Sequence, residues 1–296
     1  MHFPYTGVIP VDKPVGVSSR GVVNVVARSL RMKAVGHAGT LDPLASGVVI
    51  VCVGNATKLV DALHELPKHY AATFLLGRSS PSDDVETLMT EEADPVRPSA
   101  AEIEAAAEAF RGDIMQRPCD YSAVHVDGKR AYRLARQGQE LTLAEKPVRI
   151  ERLTITGYEW PRLAMKIECS SGTFVRAIGR DLAIAIGTRA VMKSLVRTAV
   201  GPFLLEQSLP LDAITLETVT AALLPASAAV SHLPSMVLDG DLLASAVRGG
   251  LLNVAALPEN PGPTIAALDA SGQLVGVLKR LETGSYRLRP NFLGEG

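Results

Sequence analysis

"VGHAGTLDPLASGVVIVCVG", residues 35–54, places a single acid, Asp42, among glycines, small residues and aliphatic side chains. Its second half, 48–53, is a continuous apolar run bounded by Gly47 and Gly54, the pattern of a short, fully buried strand. Asp42 stands at the lip of that strand and precedes Pro43, which biases it toward extended backbone. Gly36, Gly39 and Gly47 allow close approach of backbone to a ligand. An aspartate in a Gly/Pro loop commonly only caps a turn. Here His37, Thr40 and Asp42 gather beside a strand end, which points to chemistry.

Outward from this stretch, the chain alternates strand and helix signals. "VDKPVGVSSRGVVNVVARSL" opens with a Pro/Gly loop, and Ser18 or Ser19 caps a helix predicted over 20–30. Residues 56–65 read as helix and 69–76 as strand. "SAAEIEAAAEAFRG" reads as helix, with Ser99 and Glu102 as a capping box and Gly112 as its stop. "VRIERLTITGYEW" and "LAMKIEC" read as paired strands, with Leu163, Met165, Ile167 and Cys169 alternating with polar or small residues. Thr173 is expected to cap a helix running to about Ile186. "VMKSLVRTAVGPFLL" returns to strand. Residues 208–235, rich in Ala, Pro and Ser, read as a short helix plus linker. A small β-rich unit follows: helix 241–248, strands 264–268, 273–281 and 285–289, a Ser-Gly turn at 271–272, and an exposed loop "PENPGP" at 258–263.

The 296 residues suggest about two domains, and 47% hydrophobic content supports a sizeable core. A net charge of −1 announces no polyanion partner globally, so any such site must be local. Three scattered cysteines argue against a disulfide frame or zinc site and for a reducing compartment. No signal-peptide pattern and no membrane-length apolar run is present, so a cytoplasmic protein is expected. There is no HExxH, no GxxxxGK[ST] and no GxGxxG in a strand-to-helix setting, so chemistry without metal or nucleotide cofactor is expected.

Further candidates follow from residue type and place. Tyr70 at a strand mouth offers a flat face for a base and a phenol for proton transfer. In "CSSGTFVRAIGRDLA", 169–183, Arg176 and Arg180 share a helix face, a spacing that like charges tolerate best near anions. Arg176 suits a buried carboxylate, Arg180 a phosphate or Asp181. "HVDGKRAYRLARQG", 125–138, carries Lys129, Arg130, Arg133 and Arg136 against Asp127, and if helical sets Lys129, Arg133 and Arg136 on one face. With Arg287 and Arg289 near the C-terminus, these clusters point to a local polyanion site.

Together the motifs resemble the TruB family of tRNA pseudouridine synthases. "GHAGTLDPLASGVVIVCVGNATK", 36–58, resembles its signature. "VDKPVGVSS", "KHYAATFLLG", "SSGTFVRAIGRDLA" and "SLVRTAVGPF" resemble its other motifs, in order, from about residue 9 to 203. The resemblance implies a mixed α/β (α+β) fold: a mostly antiparallel central sheet flanked by helices, with a catalytic cleft across its middle. It implies a catalytic domain over 1–234, with an RNA-gripping insertion at about 117–146, and a PUA-like RNA-binding domain over 235–296.

It also implies that Asp42 is the catalytic aspartate, Tyr70 stacks on the target base and Arg176 pairs with Asp42. Leu195 would be an apolar wall, His37 would fill the place vacated in the RNA loop, and Lys13 would contact active-site backbone. Asp84 matches a later family acid, whereas Pro81 stands where an aspartate is common and Phe174 where a tyrosine is usual. The substrate implied is tRNA, at uridine 55 of the T arm, gripped by Lys129, Arg130 and Arg133 and, at a distance, by Arg287 and Arg289. No cofactor, guide RNA, membrane or obligate protein partner is implied, and a monomer is the default. A non-catalytic RNA-binding protein or RNA chaperone on the same scaffold is the alternative reading, and a nucleoside-cleaving enzyme the third.

Overall fold

The structure is a computed structural model and describes residues 3–122, 124–126, 128–139, 141–253 and 262–293. Asp127, and residues 258–261 of the loop expected at 258–263, lie outside the described residues.

The signature strand, Ser46–Val53, is buried along nearly its whole length, as its unbroken aliphatic run requires. It pairs antiparallel with Gly7–Lys13 and Val35–Ala38, and parallel with Ala190–Val200. The main sheet runs in the order Leu209–Pro210, Gly7–Lys13, Ser46–Val53, Ala190–Val200, Lys68–Leu76, Arg162–Cys169, Lys146–Glu159, Gly112–Gln116. Two of these pairings are parallel and the rest antiparallel. The central parallel pairing holds only at Val196 with Ser46 and Arg197 with Gly47. Beyond those two rungs the strands part, and the Asp42 loop enters where they separate.

Helices cover the sheet. Val22, Val23, Val26 and Leu30 of helix Ser19–Leu30 are buried in one core with Val49, Val51 and Val53. The two candidate capping serines divide the work. Ser18 Oγ accepts from the Gly21 amide (3.0 Å) as the N-cap, whereas Ser19 Oγ bridges the backbone of Leu41, accepting from its amide at 2.8 Å and donating to its carbonyl at 3.1 Å. The helix is thereby tied to the loop carrying Asp42. Helix Val175–Ala185 lies close on Lys68–Leu76 because Gly179 carries no side chain: a Cβ there would stand 2.0 Å from the Phe74 ring.

Several local expectations are corrected. Thr173 does not cap helix Val175–Ala185; the N-cap is Phe174 without a side-chain bond, and Thr173 Oγ1 instead donates to the Ser170 carbonyl at 3.0 Å. Residues 208–235 hold the expected short helix, Leu216–Ala222, but the rest is not a linker. Leu209–Pro210 adds a parallel strand beside Gly7–Lys13, Leu224 bridges Val8, and Ala229 and Val230 are buried. Their small side chains serve close packing rather than chain freedom. The basic segment is helical only over Ala131–Ala135, and Lys129–Arg130 forms a short hairpin with His125–Val126. The face expected to join Lys129 to Arg133 and Arg136 is therefore not helical.

A second sheet comprises Ser235–Val237, Thr264–Leu268, Leu274–Arg280, Tyr286–Asn291 and Leu251–Leu252, with helix Gly240–Val247 packed against it. Its Ala266 and Val277 join a core cluster with Leu59 and Ala62 of the larger unit. Among the described residues, no helix is long and apolar enough to cross a membrane.

Candidate active site

Asp42 sits in the loop between Val35–Ala38 and Ser46–Val53. Two buried side chains hold this loop from below. Ser19 grips Leu41, as above. Lys13, wholly buried at the end of Gly7–Lys13, donates to the carbonyls of Val17 (2.7 Å), Pro14 (3.0 Å) and Ala45 (2.5 Å). It therefore clamps the 14–17 loop to the 42–46 loop. Burial pushes its ammonium down to about 8, with the field of Asp42 opposing that shift.

The loop offers the Asp42 carboxylate to Arg176, whose guanidinium lies 3.0 Å from Oδ2. The Arg176 side chain is 6% exposed and that of Asp42 39%, so the cation is internal while the acid reaches the surface. Arg176 also pairs with Asp84 at 3.1 Å and donates to the carbonyls of Ser82 (2.7 Å) and Tyr121 (2.8 Å). Burial opposes its charge, but Asp42 and the neighbouring acids outweigh burial and hold its proton more tightly than usual. The fork of a guanidinium suits this position, since it reaches two carboxylates and two carbonyls at once. Asp84, 1% exposed, is itself fixed by Ser82 Oγ (2.5 Å) and the Glu86 amide (3.0 Å).

A cavity of about 430 Å³ opens over this pair. Asp42, Tyr70, Phe174, Arg176 and Leu195 all line it, with His64, Lys68 and Arg197. Tyr70 is partly buried on Lys68–Leu76 and faces Arg197 on the neighbouring strand, where Leu195 pairs with Ala72. Burial pushes the Tyr70 phenol up, and the Arg197 guanidinium beside it pulls the other way. Phe174 is locked by Gln116, which accepts from its amide (2.8 Å) and donates to its carbonyl (3.1 Å).

The remaining sequence candidates lie apart. His37 is on Val35–Ala38, outside the cavity lining, with a buried Nδ1 that lacks a partner; burial, then Arg20, lowers its proton affinity. Lys129, Arg130 and Arg133 are exposed, and Arg133 and Arg136 both approach the Tyr132 ring, at 5.9 and 5.8 Å from its centroid. Arg287 and Arg289 are on Tyr286–Asn291 of the second sheet. Arg180 is committed internally to Asp181 (2.8 Å), Asp83 (3.2 Å) and the Arg117 carbonyl (2.8 Å), which answers its spacing from Arg176 without a phosphate.

Three cavity residues escaped the sequence reading. His64 Nε2 accepts from the Gly39 amide at 3.1 Å. Lys68 Nζ donates to the carbonyls of His64 and Leu66, both at 2.6 Å. Arg197 reaches the loop of Gly39 and Thr40. Lys68 and Arg197 each fell inside a quoted motif, but nothing in the spacing linked Arg197 to that loop or Lys68 to the cavity.

Residues 27–175 match the family described as TruB family pseudouridylate synthase (N terminal domain). The chain belongs to the TruB family. Among its relatives, the tRNA pseudouridine synthase B of Mycobacteroides abscessus is 38% identical over 277 residues, covering 92% of this chain and 91% of that protein. The protein of the same name from Rhodopirellula baltica is 36% identical over 275 residues, 88% of this chain and 78% of that one. Family membership makes the chain a pseudouridylate synthase, an isomerase. The TruB fold is seen also in a solved Cbf5-Nop10-Gar1 complex (TM-score 0.72, 22% identity, 97% of this chain and 85% of that one). It recurs in an H/ACA RNP bound to a substrate RNA containing 2′-deoxyuridine (TM-score 0.71, 24% identity, 97% and 85%). At that identity the likeness is one of fold. The fit extends over the second sheet, consistent with a PUA-like module in this TruB chain.

Proposed function

We propose that this chain converts a uridine of tRNA, position 55 of the T arm, to pseudouridine, with Asp42 as the nucleophile. The observation that carries the reading is the half-exposed Asp42 carboxylate, held 3.0 Å from a buried Arg176 on the wall of a nucleotide-sized cavity. In this reaction the N1–C1′ bond breaks, a C5–C1′ bond forms, and one proton passes from C5 to N1. Atoms and electrons balance within the substrate, so no redox partner enters.

The target base must leave its stack, at a cost of a few kcal/mol. Stacking on Tyr70 returns roughly 1–3 kcal/mol, and Leu195 closes the apolar side. Arg176 pairs with the Asp42 carboxylate at 3.0 Å, and Lys13 and Ser19 hold its loop at fixed height. The C5 proton departs on the Tyr70 side. The exposed cations Lys129, Arg130 and Arg133 support direct engagement of tRNA phosphates without a guide RNA, and Arg287 and Arg289 a second, distant contact.

The test is Asp42→Asn, assayed by tritium release from tRNA carrying 5-tritiated uridine. Release is expected to vanish while tRNA binding persists. Unchanged release would refute the assignment, and free uracil as product would mark a nucleoside-cleaving enzyme instead.

A further inference from the structure

Arg197 is 1% exposed, among the largest fully buried side chains of the protein. No described carboxylate forms an ion pair with it; its partners are backbone carbonyls and the Tyr70 phenol. Nε donates to Val48 (2.7 Å), and the two terminal nitrogens point to Gly39 (3.1 Å) and Thr40 (3.5 Å). A buried guanidinium balanced by carbonyl dipoles and a phenol, with no carboxylate, is an expensive way to join strands. An apolar side chain would fill the same space without charge.

The surroundings are shaped to admit it. Arg197 is the cross-strand partner of both Gly47 and Tyr70. A Cβ on Gly47 would stand 2.2 Å from the Arg197 carbonyl oxygen, so glycine is needed for the strands to meet at that rung. Gly39, at φ +83°, turns the loop so that its carbonyl meets the guanidinium. One side chain thus touches the strand behind Asp42, the loop in front of it, and the phenol of Tyr70 on the facing strand. The ion pair with Arg176 holds Asp42 on the same cavity.

We propose that Arg197 is a positioning residue of the isomerisation, fixing the Asp42 loop against the Tyr70 strand so that carboxylate and ring keep one separation while the uridine turns between them. This rests on the function proposed above. Turning the freed uracil demands that the two walls stay in place after the N1–C1′ bond is broken. Among the described residues, Arg197 is the one side chain of Ala190–Val200 that bonds to the loop of Gly39 and Thr40. Its charge also offsets the effect of burial on the phenol.

The experiment compares full-length Arg197→Lys and Arg197→Met with the wild type. Three measurements are made: kcat and KM by tritium release, tRNA affinity, and the titration of 3-fluorotyrosine placed at position 70. Lysine keeps the charge but cannot span three carbonyls. For Arg197→Lys, kcat is expected to fall on the order of 100-fold, with tRNA affinity within about threefold of wild type. In Arg197→Met the fluorotyrosine titration moves upward, as removal of a neighbouring cation requires. If Arg197→Met does not fold, Arg197→Lys alone decides. Wild-type kcat in Arg197→Lys, or a parallel fall of kcat and tRNA affinity, overturns the proposal while leaving the function standing. A wild-type chain that releases no tritium overturns both.

Discussion

The Asp42 cavity and the basic segment around Lys129–Ala135 both concentrate charge, yet they are built in opposite ways. At the cavity and beneath its Asp42 loop, Lys13, Arg176 and Arg197 are buried, and their donors end on carbonyls, carboxylates or the Tyr70 phenol. In the basic segment Lys129, Arg130 and Arg133 stand in solvent, and the described contacts of Arg133 are to the neighbouring Tyr132. Charges in the first region are costly to bury and are little weakened by salt; those in the second are cheap and strongly screened. The cavity's charges are held by fixed partners, and those of the outer segment stand in solvent.

That contrast is open to attack by substitution. The largest effect is expected at Arg176. Arg176→Ala leaves Asp84 buried without its cation, which costs about 3–5 kcal/mol of stability and also releases Asp42. A urea titration together with the tritium assay should show a drop in both stability and activity. Stability equal to wild type would mean that the buried pair is not the frame of the site.

A smaller effect is expected from replacing Lys129, Arg130 and Arg133 with alanine. Stability should barely change, since these side chains stand in solvent. KM should rise, and the slope of log affinity against log salt should fall by about one for each phosphate no longer neutralised. A slope identical to wild type would remove this segment from the RNA interface.

The smallest effect concerns pH. Burial, then Lys68, lowers the proton affinity of His64, whose Nε2 must stay unprotonated to accept from the Gly39 amide. The unfolded chain therefore takes up a proton first as pH falls below about 6.5. His64 contributes stability that is present above that value and declines as pH drops toward the lower folded value. His37 is lowered in the same direction. His64→Gln should flatten part of the fall in urea midpoint as pH drops from about 7 to about 5.5; an unaltered profile would assign the whole fall to other groups.

Much of this architecture was readable in one dimension. The aliphatic run of 48–53 is a buried strand, and Ser99 with Glu102 forms the expected capping box. Leu163, Met165, Ile167 and Cys169 face the core in strict alternation. Asp42, Tyr70, Arg176 and Leu195, singled out from widely separated motifs, line one cavity. His64, Lys68 and Arg197 were not legible, because each reaches its place through backbone contacts that no side-chain pattern announces. Thr173 misled for a related reason: a threonine before a helix suits capping, but the turn after Cys169 offers its hydroxyl the Ser170 carbonyl instead.

Periodicity, capping chemistry and the Gly/Pro punctuation act over a few neighbouring residues, and so the order of residues already dictated where strands and helices form and which loop bears the acid. Which cation meets which acid was settled by folding. The sequence offered Asp42 to Arg176 and Asp181 to Arg180, but that Asp84 also meets the first and Asp83 the second was decided only by packing. The strength of a charge pair depends on its distance and on the water excluded around it, and both come into being only when remote segments pack together.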